Sequence, residues 1–167
     1  MSLRVGSAMV ALLVLALPFA AFLLLALVRP LRRSAVGAAV TSITAMVAAV
    51  ASAFWLSWRA APRALLQSPS TTWTWIPADG GPMATVGVMV DEKSMAMCML
   101  VTFVSLMVQL YSWAYLHDEP RTSLGRYYAY HSLFSFSMLG LVLSPTFIQM
   151  FVFWELVGLC SYLLIGY

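Results

Sequence analysis

Residues 145–167 read PTFIQMFVFWELVGLCSYLLIGY. At ~1.5 Å per residue this largely apolar run covers roughly 34 Å, enough to cross a hydrocarbon core of about 30 Å. It holds one acid, Glu155, ten residues past Pro145. That places the carboxyl about 15 Å into the helix, near the bilayer midplane. An ionisable group at that depth is costly unless it faces protein or water, so Glu155 marks a functional site. The plainer alternative is a protonated side chain bonded to a neighbouring helix. Phe151, Gly158, Leu159, Tyr162 and Gly166 fall on the same helical side as Glu155. Gly158 leaves room beside the carboxylate, as small residues also do where helices pack closely. Tyr162 puts a hydroxyl two turns away.

Working upstream, Ser144 and Pro145 read as a compact helix start, with Ser as N-cap and Pro at the first helical position. The turn before it should be tight. The preceding helix is predicted over Arg126–Leu143. Tyr128, His131, Ser132 and Ser135 lie within a narrow arc of it, on the half nearest residues 116–125. Such a stripe suits the wall of a half-channel. It equally suits hydroxyls bonded back to their own helix carbonyls beside an interfacial histidine. Counted from the turn, Ser135 lies at the depth of Glu155 and His131 about 6 Å nearer the 116–125 end. If the two stripes face each other, Ser135, His131, Tyr128 and Tyr162 line a polar path to Glu155, along which the histidine relays protons.

A third helix is predicted over Lys93–Tyr115, with Asp91 and Glu92 at its dipole-favoured start and Tyr111, Trp113 and Tyr115 as an exit belt. Its methionines, Met95, Met97, Met99 and Met107, read as packing residues. His117, Asp118, Glu119 and Arg121 make a short solvated turn after it. Residues 59–90 are the long polar connection. Within them Thr72–Ile76 and Thr85–Val90 are strand-like around PADGGPMA, predicting a small hairpin on the membrane surface with Trp73 and Trp75 on one face. The helix over Ala35–Trp58 carries small residues at every fourth position (Gly37, Thr41, Ala45, Ala49, Ala53), a ladder that lets another backbone approach. The first helix, Val5–Val28, should kink at Pro18 and stop at Pro30 within the cluster Arg29, Arg32 and Arg33. It is longer than a signal-peptide core and reads as a retained span.

The expected fold is thus an all-α integral membrane protein of five transmembrane helices, with a short β-hairpin-like surface loop between the second and third. Residues 1–58 would form two N-terminal spans, 59–90 the extramembrane loop, and 91–167 the remaining three spans. Composition agrees. Of 167 residues 62% are hydrophobic and 9% charged, against about 25% charged in soluble domains. The net charge of +3 is spread between the apolar runs, so nucleic acid is not an expected partner. Cys98 and Cys160 sit within apolar runs, and neither a disulfide framework nor a metal site is expected. No cofactor fingerprint, phosphate loop or nucleophile–base pair is present in the sequence.

The motifs FVFWELVGLCSYLLIGY (151–167), LYSWAYLHDE (110–119) and RYYAYHSLFSFSMLGLVLS (126–144) together resemble the antiporter-like L subunit of NADH–quinone oxidoreductase, respiratory complex I. Residues 85–167 carry the resemblance, and residues 1–84 fit in pattern only. The resemblance implies a proton-translocating subunit in which Glu155 is the essential acid, coupled to a lysine on a later, broken helix. It implies other membrane subunits, the lipid bilayer and protons as partners. It also implies no redox cofactor in this chain, with quinone and NADH chemistry held by other subunits. The expected location is the cell inner (plasma) membrane, multi-pass, with the N-terminus outside. Five basic residues on the side of the loops after helices 1 and 3 (Arg29, Arg32, Arg33, Arg121 and Arg126) against four on the other (Arg4, Arg59, Arg63 and Lys93) give a weak charge bias that the resemblance tips. Related cation/proton antiporter subunits, hydrogenase membrane arms and carbon-uptake subunits share the module. A truncated bundle with a structural or assembly role is the remaining alternative.

Overall fold

In a bilayer a long apolar run can satisfy its backbone only within itself, so each such run becomes a helix. The computed structural model describes residues 2–60, 70–78, 81–116 and 121–167. The order is α1 (Ser2–Leu27), α2 (Arg29–Arg33), α3 (Ala35–Ala60), β1 (Ser70–Ala78), β2 (Gly81–Met89), α4 (Glu92–Tyr115), α5 (Arg121–Val142) and α6 (Phe147–Ile165). The class is all-α membrane protein with one small antiparallel sheet. Among the described residues four helices, α1, α3, α4 and α6, are long and apolar enough to cross a membrane. α5 matches them in length at 22 residues but falls outside that apolar set. The reason lies in its place. α5 packs against α1, α3, α4 and α6, so its tyrosines, histidine and serines meet other helices, where polar atoms find partners. The five-span expectation therefore resolves into four apolar spans packed around a more polar fifth helix.

Several boundaries differ from the sequence reading. The arginine cluster is the short helix α2, not a plain stop, with Pro30 near its start where a missing N–H costs nothing. α5 begins at Arg121, five residues before the predicted start, and residues 117–120, including the expected solvated turn, lie outside the described residues. Ser144 does not cap α6. Its hydroxyl donates back to the Gly140 carbonyl at 2.7 Å, and Thr146 is the N-cap, its side chain accepting the Gln149 N–H. Pro145 thus lies in the turn, before the first helical position. The hairpin is longer than predicted, with register Thr72↔Gly87 and Trp73↔Val86 and a bulge between Thr74 and Ile76. Trp73 and Trp75 are both exposed. Asp79 and Gly80 of the predicted turn are outside the described residues.

The helices alternate in direction. Gly125, near the start of α5, lies directly against the Arg32 carbonyl of α2, and Tyr167 meets Tyr127 at 5.5 Å between ring centres. Those contacts gather the ends of α1, α4 and α6 and the starts of α3 and α5 at one end of the bundle. The hairpin marks the other. The Met89 N–H donates to the Leu143 carbonyl at 2.9 Å, and Val88 and Val90 share a core with Ala11, Val14, Ala53, Leu56, Met95 and Leu139. This core joins residues from both sides of the 59–90 connection. The buried stripe of α3 is Ala38, Ser42, Met46, Ala49, Ala53 and Leu56, which overlaps the predicted ladder at Ala49 and Ala53. A strict four-residue ladder advances about 40° beyond a full turn at each step, so it cannot stay on one neighbour.

Gln149 ties α6 to the sheet. Its Oε1 accepts the Gly87 N–H at 2.8 Å and its Nε2 donates to the Gly87 carbonyl at 2.9 Å, the pattern of one more strand residue. Thr146 adds a bond to the Thr85 carbonyl at 3.1 Å. Gln149→Leu leaves both Gly87 backbone groups unmet in a buried place. It should lower stability by about 1–3 kcal/mol in detergent unfolding and make the hairpin more open to protease.

Asp91 fixes the start of α4, its carboxylate accepting the Ser94 N–H at 2.7 Å. Hydrogen bonds from the Ser94 side chain, then from its backbone, hold this carboxyl below its ordinary value of 3.8. An acid lowered in the native state stabilises the fold above its unfolded value, and that stabilisation is lost as pH falls through the native value. Asp91→Ala should cost about 0.5–2 kcal/mol at neutral pH. It should also remove the part of the acid-unfolding curve that lies below about pH 4.

Candidate functional site

Glu155 is the ninth of the 19 residues of α6, within one residue of the helix centre. Which way it points is decided by the packing of α6. α6 meets α5 through Phe153, whose ring lies 5.5 Å from that of Phe136 and covers Gly140. It also meets α5 through Cys160, whose Sγ is 3.8 Å from the Ser137 hydroxyl. Glu155 is two residues from Phe153, so about 200° round the helix, on the opposite side. Glu155, Phe151, Gly158, Leu159 and Tyr162 are all exposed, with Tyr162 at 73%. A Cβ on Gly158 would have nothing within 4 Å. Of the four apolar spans α6 is the least covered, 11% of its span being buried in this chain against 28–39% for the others.

The residues expected to line a path to Glu155 separate into two places. Tyr128 and Ser135 are fully buried and His131 nearly so, all on the side of α5 that meets α3 and α4. Ser132 bonds Ser42 of α3 at 2.7 Å, and His131 Nδ1 meets Gln109 Nε2 of α4 at 3.2 Å. The side of α5 that meets α6 carries Phe136, Ser137 and Gly140, roughly 150° away at 100° per residue. Tyr162 belongs with Glu155 on the outer face of α6. Among the described residues the two stripes thus do not face each other, and His131 and Ser135 are not brought together with Tyr162 and Glu155. α5 and the inner half of α6 stand between them.

The hydroxyl half of the second reading of the α5 stripe agrees with the structure, while the histidine it placed near the interface is buried against Gln109. The hydroxyls of Ser132 and Ser135 donate to the carbonyls of Tyr128 and His131, at 2.8 and 2.9 Å. This satisfies a buried hydroxyl within its own helix. Sequence reasoning missed the partners on α4. Thr102, Ser105, Gln109 and Ser112 are buried and recur at spacings of three and four, which is one face of a helix. That polar stripe in an apolar run was the available signal.

Comparison with known proteins follows the same residues. Residues 75–128 match the family model described as NADH-ubiquinone oxidoreductase (complex I), chain 5 N-terminus. Over 128 residues the chain is 44% identical to NADH-quinone oxidoreductase subunit L of Neisseria meningitidis, covering 77% of this chain and 18% of that protein. It is 51% identical over 96 residues to the chloroplastic NAD(P)H-quinone oxidoreductase subunit 5 of Adiantum capillus-veneris, covering 57% of this chain and 13% of the relative. It is 50% identical over 82 residues to NAD(P)H-quinone oxidoreductase chain 5 of a Synechocystis strain, covering 49% and 12%. The chain thus spans less than a fifth of the length of these relatives. Together with the spans and the motifs of residues 110–167, these matches make the chain the counterpart of the N-terminal part of the antiporter-like L, or chain 5, family of complex I membrane subunits.

Proposed function

We propose that the chain works as the N-terminal part of a proton-translocating membrane subunit of NADH–quinone oxidoreductase, with Glu155 as its protonatable group. The observation that carries this reading is a carboxyl near the middle of the apolar helix α6, on the face that the described residues leave open. A carboxyl held against lipid is costly, so further helices cover that face. Gly158 beside it lets a neighbouring backbone approach closely. A cation on a covering helix favours the charged carboxylate, and its withdrawal favours the protonated acid. Movement of that cation loads and expels the proton. Residues 91–167 form the start of the antiporter-like module and residues 1–58 brace it through the shared core. Other membrane subunits and the bilayer are its partners, the inner (plasma) membrane its location, and the N-terminus and hairpin lie on the outer side. Proton transport by vesicles carrying the assembled complex, with Glu155→Gln in the full-length subunit, tests the reading. Unchanged transport overturns it.

A further inference from the structure

His131 is a titratable side chain that the Glu155 reading leaves unused. Its Nδ1 meets Nε2 of Gln109, and Gln109 is fully buried. Gln109 Oε1 has no protein partner, and the other buried side-chain atom in that state among the described residues is the Tyr167 hydroxyl. Both belong to one cluster. The Tyr127 ring centre lies 6.0 Å from that of His131 and 5.5 Å from that of Tyr167. The Tyr127 hydroxyl meets the Ser112 hydroxyl at 2.6 Å. Ser112 gives its single proton to the Val108 carbonyl at 2.7 Å, so Tyr127 is the donor in that pair. The Tyr128 hydroxyl donates to the Gln109 carbonyl at 3.3 Å. The side chains in bond or ring contact with His131 are Gln109, Tyr127 and Phe134, none of them charged.

A buried polar atom without a partner costs about 1–3 kcal/mol and is ordinarily met by water. One such atom is on the residue bonded to His131, and the other is on Tyr167, which Tyr127 links to His131 toward the end of the bundle where α4 stops and α5 starts. The geometry points to a second proton-holding site at His131, with Gln109 as its acceptor, hydrated past Tyr127 and Tyr167 from that end of the bundle and separate from Glu155. In the neutral ring Nδ1 accepts the Gln109 N–H and the ring proton is on Nε2. Transfer of a proton from hydronium to Nδ1 gives the imidazolium and water. The new Nδ1–H then needs an acceptor, which a half-turn of the Gln109 amide supplies as Oε1. Return of the proton to water reverses both steps.

The test uses the whole chain in lipid bilayers with nitrogen-15 histidine and His117→Asn, which leaves His131 as the only signal. Water-to-imidazole magnetisation transfer and a single conversion to imidazolium on acidification are expected. Gln109→Leu should move the midpoint to lower pH by removing the acceptor. Gln109→Glu should raise it by about 1–3 units. An imidazole that stays neutral and out of contact with water across the pH range overturns the site. So does a midpoint unmoved by Gln109→Glu, a variant that keeps the shape if Gln109→Leu does not fold. None of these readouts involves Glu155 or transport, so their failure leaves the Glu155 reading to its own experiment.

Discussion

Glu155→Gln in the full-length subunit is expected to abolish most proton transport while the complex still assembles. Gln keeps the volume and hydrogen-bonding reach of Glu but cannot release a proton, so turnover through this position stops. Assembly should survive because among the described residues none is bonded to Glu155, and a neutral amide is cheaper than a charge against a covering helix. Glu155→Asp keeps the acid on a shorter stem and should retain part of the transport. Dye-reported acidification in sealed vesicles, with complex content checked on a native gel, separates the two effects. Full transport by Glu155→Gln would reduce the residue to an acid that only packs. Poor assembly of the variant would make it structural.

Gly125→Ala is expected to destabilise the bundle more than a glycine-to-alanine change in a helix ordinarily does. In a free helix alanine is favoured over glycine by about 1 kcal/mol. At Gly125 a Cβ would collide with the backbone carbonyl of Arg32, which cannot rotate away. α2 must then shift off α5, an overpacking cost of about 1–3 kcal/mol or more that outweighs the propensity gain. Gly158→Ala provides the contrast. The position is open in this chain, so the isolated chain should be unchanged or slightly more stable. Gly158→Leu in the full-length subunit should instead hinder the approach of whatever covers Glu155. Detergent thermal unfolding of the two alanine variants, side by side, reads the difference. Equal midpoints would show that α2 is loosely held.

The membrane class, the apolar helices α1, α3, α4 and α6, the hairpin and the place of Glu155 along its helix were all legible in the sequence. Each follows from local physics: apolar run length against bilayer thickness, strand-like alternation around a glycine-rich turn, and the rise per residue of a helix. The α6 cap was misread because Ser144 and Thr146 are both good caps. The choice fell to Thr146, whose hydroxyl also reaches the Thr85 carbonyl of the hairpin, a contact 61 residues away in the chain. The direction of each stripe was not legible either. Periodicity tells which residues share a face, but not which neighbour that face meets. Only the packing of Phe153 and Cys160 against Phe136, Ser137 and Gly140 turned Glu155 outward. Only the crossing of α4 with α5 set His131 against Gln109, because a helix can rotate about its axis without changing its sequence, and long-range contacts alone fix that rotation.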